Sequence, residues 1–246
     1  RISLTDDGVR LLGYANRILA LYGELRDAFL DEQGTLTGEI RLGASTTLSQ
    51  YVLPGLLARF RKQYPDIRVT LCSGNTEQIE RQIADGKLDF GVIEGTASNP
   101  ALHYEPFMDD ELVLVTSTAN RTFPEEEISA ADLPKLPLLI RENGSGTLEV
   151  LSRELARHRL SLRQLHIEMQ LGSTESIKHY LFHSDMFAFL SVQAVLEELA
   201  SNRLRVVEVS DMELIRRFSF VTAHGQRSRL TDLLKQFCLN HYNQKL

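Results

Sequence analysis

A chain of 246 residues with 43% hydrophobic and 24% charged residues has room for one large domain or two modest lobes, each burying its own core. Its formal charge of −6 excludes a surface dominated by clustered Lys and Arg, as phosphate-backbone binding requires, so any contact with nucleic acid lies outside these residues. No run approaches the roughly 20 apolar residues of a membrane span, and no basic stretch leads into an apolar signal core, which predicts a cytoplasmic protein without a membrane partner.

Thr5 is a helix cap followed by Asp6 and Asp7 in the first turn. From there Leu11, Ala15, Ile18, Tyr22, Leu25 and Phe29 alternate at spacings of four and three, the seam that pairs helices, and they are the candidate dimerisation residues. Leu12 and Leu19 widen that face, so docking on the rest of the chain is the competing reading. Gly34 to Gly38 breaks the pattern as a hinge.

Beyond it the period becomes two. Ile40, Leu42 and Ala44 form a half-buried strand, Leu53 to Tyr64 a helix ended by Pro65, and Ile67, Val69 and Leu71 a second strand. Asn75 and Gln78 make a capping box for a helix carrying Ile79 and Ile83, and Asp89 to Glu94 reads as a buried strand. Helical crossovers of this kind imply parallel strands. Two further strands, Leu102 to Phe107 and Glu111 to Thr116, lead to a proline-punctuated junction with a short helix at 123–137.

A second series follows: a strand at Leu138 to Arg141, a helix at Ser145 to Arg159, a strand at Leu165 to Leu171 and a helix at Ser173 to His183. Met186 to Leu190 is a strand, Val192 to Ala200 a helix, Leu204 to Val209 and Ile215 to Val221 strands, and Leu230, Leu233, Leu234 and Phe237 the face of a last helix. The fold class is α/β.

In open α/β sheets ligands bind beyond the carboxyl ends of the strands, where helix N-termini favour anions. Three such ends here are rich in hydroxyls: Ser45, Thr46 and Thr47; Ser145, Gly146 and Thr147; and Ser173 and Thr174. Gly74, Asn75 and Thr76 are candidates for a fourth wall. Any one of these is equally an ordinary helix cap. The segment at 144–147 lacks the Lys of a nucleotide-binding P-loop. Glu94 and Glu142 stand at two of the same strand ends, where each would repel an anion, accept its proton or bind an amino group.

No motif for catalysis or zinc is present: no G-x-S-x-G, no H-E-x-x-H and no cysteine cluster. We therefore expect no catalytic residues, no metal site and no cofactor. His179 and His183 share a helical face without a partner carboxylate between them, and Glu125 to Glu127 reads as a solvated acidic loop. Cys72 and Cys238 read as small buried hydrophobes rather than a redox pair.

Taken together, ISLTDDG at 2–8 with YANRIL at 14–19, GEIRLGAS at 38–45, LPGLLARFRKQYPDIRV at 53–69 and IADGKLDFGVIEG at 83–95 resemble LysR-type transcription regulators in order and spacing across nearly the whole chain. Within that family the chain is most similar to the branch containing sulphur-assimilation and carbon-fixation regulators. The resemblance implies two Rossmann-like lobes of the type II periplasmic-binding-protein fold preceded by a linker helix. It places the end of a winged helix-turn-helix, linker and hinge at 1–38 and an effector-binding domain at 39–246, with one lobe at about 39–116 and 209–246 and the other at about 117–208. It implies that the serine, threonine and glycine residues named above line an interlobe pocket for a small effector, with an oxyanion or carboxylate suggested. It also implies a homodimer or homotetramer that reads DNA through an N-terminal domain missing here. A solute-binding protein of a transport system, with the same fold, is the alternative.

Overall fold

The computed structural model describes residues 36–242, apart from 96–98 and 226–227, together with Thr5, Asp7, Gly8, Leu11, Tyr14 and Ile18. Asp7, Gly8, Leu11, Tyr14 and Ile18 are helical, and Leu11, Tyr14 and Ile18 are exposed. The other expected dimerisation residues, Ala15, Tyr22, Leu25 and Phe29, lie outside the described residues.

Two series of strands and helices follow. The first comprises β1 (Gly38–Ser45), a π-helical turn (Leu48–Val52), α1 (Leu53–Gln63), β2 (Ile67–Gly74), α2 (Thr76–Ala84) and β3 (Phe90–Glu94). The long strand β4 (Leu102–Ser117) leads to the second: β5 (Glu127–Ile128), a 3-10 turn (Ala130–Lys135), β6 (Pro137–Arg141), α3 (Gly146–Arg157), β7 (His166–Leu171), α4 (Thr174–Leu181), β8 (Phe187–Ser191), α5 (Val192–Ala200) and β9 (Leu204–Val209). The chain returns through β10 (Ile215–Ala223) and α6 (Arg229–His241).

Strand order is β2-β1-β3-β10-β4-β8-β6-β7, with β9 paired to β4 and β5. β1 is parallel to β2 and β3, and β6 to β7 and β8, as the helical crossovers demand. Consequently the carboxyl ends of β1, β2 and β3 lie together in one lobe and those of β6, β7 and β8 in the other. The first lobe packs Ile40, Leu42, Phe60, Phe90, Phe218 and Phe237 together, and the second Leu112, Leu138, Leu151, Leu155 and Phe187. Period-two burial holds over the first part of β10, where Arg216, Phe218 and Phe220 face inward and Ile215 and Arg217 outward.

The two strands expected at Leu102 to Phe107 and Glu111 to Thr116 are one. Its first part pairs with β10 as far as Glu111, and its second, from Leu112, pairs with β8 and β9. The sheet partners change at residue 111/112, so residues 112–116, expected in the first lobe, are hydrogen-bonded in the sheet of the second. Met108, Asp109 and Asp110 suggested a break in sequence. They remain extended because Arg216 and Arg217 on β10 stand in register with Asp110 and Asp109 and neutralise them.

Candidate site between the lobes

Ser45 ends β1, Thr46 and Thr47 follow it, and all three are buried. Thr46 Oγ1 lies 3.4 Å from the Gly74 carbonyl, to which it donates, and the Thr46 carbonyl accepts from Ser49 Oγ at 3.0 Å within the π-helical turn. Asn75 forms the expected capping box with Gln78, and Thr76 donates to the Glu94 carbonyl at 2.8 Å. In the second lobe, Ser145 caps α3 by accepting from Thr147 N, and Ser173 caps α4 by accepting from Ser176 N. For the Asn75, Ser145 and Ser173 side chains the capping role is therefore met within the fold.

The lobes touch at these ends. Asn75 Nδ2 donates to the Asn143 carbonyl and Glu77 N to the Gly144 carbonyl, each at 3.3 Å. Gly146 lies so close to β3 that a Cβ there would stand 2.4 Å from the Glu94 carbonyl oxygen, a separation only glycine permits. Gly144, with φ of +83°, gives the preceding turn its left-handed residue.

Between the hydroxyls stands Arg141, which in the sequence marks only the end of a strand. Arg141 closes the buried strand β6, and its side chain is 1% exposed. Nη2 donates to Thr46 Oγ1 in the first lobe at 3.2 Å, and Nη1 to Thr174 Oγ1 in the second at 3.1 Å. Nε and Nη2 donate to the two carboxylate oxygens of Glu142 at 2.8 and 3.0 Å, a bidentate pair. Four of the five guanidinium N–H groups are thus engaged.

A second buried arginine lies on β10. Arg216 Nε donates to Asp110 Oδ2 at 2.7 Å, Nη1 donates to Thr147 Oγ1 at 2.9 Å and sits 2.6 Å from Glu94 Oε2, and Nη2 reaches Thr47 Oγ1 at 3.4 Å. Asp110 also accepts from Ser191 Oγ at 2.7 Å. Burial pushes the Asp110 carboxyl above its ordinary range, opposed by the Arg216 guanidinium and the Ser191 hydroxyl. Three buried polar atoms here, Ser45 Oγ and both carboxylate oxygens of Glu94, have no hydrogen-bond partner among the described residues, Glu94 Oε2 being held by its ion pair with Arg216. Such groups are costly to bury, which marks the region as polar beyond the needs of packing.

A third link closes the rim. The Tyr51 hydroxyl, on the π-helical turn, donates to Glu175 of α4, which also pairs with Lys178 at 2.8 Å, and Lys178 Nζ lies 4.9 Å from the centre of the Tyr51 ring. Burial raises the Glu175 carboxyl, but the Lys178 ammonium and the Tyr51 hydroxyl outweigh it and hold it below its ordinary value. Lys178 is itself buried and pairs with Glu198 at 2.8 Å.

Thr46, Thr47, Asn75, Glu94, Gly146, Thr147 and Thr174 thus take part in contacts at the lobe junction, with Arg141, Arg216, Tyr51 and Lys178 added, whereas the Ser145 and Ser173 side chains cap their own helices. A signal for Arg216 was present: it occupies the inward phase of an alternating strand, shared with Phe218 and Phe220. Elsewhere, His179 and His183 are exposed, and among the described residues no group of three or more potential ligands is placed to hold a metal. Glu125 to Glu127 are exposed, with Glu127 in β5. Cys72 and Cys238 are free thiols, and burial pushes that of Cys238 up to about 12.

Two α/β lobes joined by a shared strand, with polar strand ends meeting at the junction, define a ligand-binding protein of the periplasmic-binding-protein type. The family model described as the LysR substrate binding domain matches residues 33–243, and the chain belongs to that family. A probable RuBisCO transcriptional regulator from Chlorokybus atmophyticus is 34% identical over 225 residues, 90% of this chain and 72% of that protein. The transcriptional regulator CysL of Bacillus subtilis is 27% identical over 88% of this chain and 72% of its own length. Among solved structures, the regulatory domain of CcmR from Synechocystis PCC6803, in complex with 2-PG, has 25% identity and a TM-score of 0.76, covering 85% of this chain and 99% of that one. The effector-binding domain of QuiR in complex with shikimate shares the fold at a TM-score of 0.74 and 17% identity, with 86% and 100% covered.

The chain is a small-molecule-sensing part of a LysR-type transcription regulator, and this family match favours regulation over solute transport. Among the described residues no helix is long and apolar enough to cross a membrane.

Proposed function

We propose that residues 39–246 bind a small anionic effector between the lobes and that residues 1–38 join this unit, in the cytoplasm, to a DNA-reading domain in a homodimer or homotetramer. The observation that carries this reading is Arg141, a buried guanidinium that reaches a hydroxyl in each lobe, Thr46 and Thr174. A planar fork of donors suits a carboxylate or phosphoryl group, and hydroxyls from both lobes let one small ligand engage both. An effector that binds one lobe arrangement more tightly than another shifts the population toward it, and the linker helices carry that shift to DNA. The complexes of CcmR with 2-PG and of QuiR with shikimate support a ligand carrying an acidic group. Leu11 and Ile18, helical, apolar and exposed, support a role for the linker in pairing.

Thermal unfolding in the presence of 2-PG, shikimate, sulfate and phosphate tests the reading. A ligand at 100 times its dissociation constant adds about 2.7 kcal/mol of stability. We expect at least one of these anions to raise Tm in the wild-type chain and Arg141→Met to abolish the rise. An equal rise in Arg141→Met would remove Arg141 from the site.

A further inference from the structure

We propose that Glu142 is an internal stand-in for the effector's acidic group: its carboxylate occupies the guanidinium fork of Arg141 and is displaced when the effector binds, so that Glu142 sets both the charge the site accepts and the concentration at which it responds. The inference rests on the anion-site reading above and adds a step to it.

The Glu142 carboxylate meets Arg141 with two parallel bonds, Nε to Oε2 at 2.8 Å and Nη2 to Oε1 at 3.0 Å. This is the arrangement a ligand carboxylate or phosphoryl group adopts on an arginine. With Thr46 and Thr174 on other N–H groups, one Nη1 proton is left over, too little for an acidic ligand to be held in two-point fashion. An anion that takes the fork must therefore replace Glu142.

Arg141 is fixed: its side chain is 1% exposed and it is tied to both lobes, whereas the Glu142 side chain is 26% exposed. The backbone on either side of Glu142 is held independently of that carboxylate. Gln170 Nε2 donates to the Arg141 carbonyl at 3.1 Å, and the Asn143 and Gly144 carbonyls accept from the first lobe. Rotation about the Glu142 side-chain bonds can carry the carboxylate to water with the main chain in place.

Electrostatics then supplies selectivity. Withdrawing Glu142 strands a buried cation, which is strongly unfavourable unless another anion takes its place. A neutral ligand offers no such replacement, and an anionic one does. The other buried arginine, Arg216, is paired with Asp110 and Glu94, both fully buried, and Asp110 is held also by Ser191, so neither is exchangeable in the same way.

The test uses Glu142→Gln, Glu142→Ala and the double variant Arg141→Met/Glu142→Gln, with inorganic phosphate and sulfate as probes and chloride as the ionic-strength control. In Glu142→Gln the fork loses its competing charge, and we expect apparent affinity for phosphate or sulfate, measured by thermal shift, to rise about tenfold over wild type, the scale of one hydrogen bond to a charged group. Glu142→Ala should show the same gain, and the double variant should lose it. Gains no larger than wild type in both single variants would overturn the displacement step. The anion-site reading itself fails on a different observation, a wild-type response to 2-PG or shikimate that survives Arg141→Met.

Discussion

Arg141 and Arg216 are alike in burial and in bridging the lobes through threonine hydroxyls, but they differ in the acids that neutralise them. Arg216 faces Asp110 and Glu94, both inside the protein, and Asp110 sits where β4 passes from one sheet to the other. Arg141 faces Glu142, its own chain neighbour, whose side chain is a quarter exposed and is paired among the described residues with Arg141 alone. One pair cannot rehydrate without opening the crossover between lobes, and the other can do so by a side-chain rotation. A buried ion pair is thus structural or exchangeable according to the exposure and tethering of its weaker partner.

Stability measurements distinguish the two pairs. The largest effect is expected for Arg216→Met, which leaves Asp110 and Glu94 buried without a cation and should cost about 3–5 kcal/mol in urea unfolding. Arg141→Met should cost less, about 1–3 kcal/mol, because Glu142 can turn to water once its partner is gone. Equal losses for the two variants would erase the distinction.

The smallest effect is a pH dependence. The Asp110 carboxyl, held above its ordinary value of 3.8 chiefly by burial, binds a proton more readily in the folded than in the unfolded chain. Its contribution to stability is therefore greatest below 3.8 and falls as pH rises through the folded value. Asp110→Asn should flatten this part of the stability profile in acid, measured by urea unfolding at a series of pH values. An unchanged slope would place the charge of this cluster elsewhere.

Much of this arrangement is legible in the residues. The alternation of Ile40, Leu42 and Ala44, the capping box at Asn75 and Gln78, and the apolar faces of Leu53 to Tyr64 and Leu230 to Phe237 each correspond to an element at that place, because local period and capping chemistry dictate them. The continuity of β4 was not legible. Met108-Asp109-Asp110 looks like a break until Arg216 and Arg217, more than 100 residues away, are known to lie across from it. The hydroxyl-rich strand ends were legible as candidates, but their center was not. Arg141 closes an apolar strand as an ordinary solvent-facing arginine would, and only the approach of Thr46 from the other lobe makes it a buried fork. Pairing across long sequence separation carries no local signal.

The most direct test of the central claim follows the arginine side-chain Nε–H resonances by NMR while the anion giving the largest thermal shift is added, with Arg141 and Arg216 assigned by substitution. The Arg141 resonance should move progressively to a new position as its partner changes from Glu142 to the ligand, while that of Arg216 stays. An Arg141 resonance unmoved at saturation, with the shift appearing at Arg216 or at neither arginine, would contradict it.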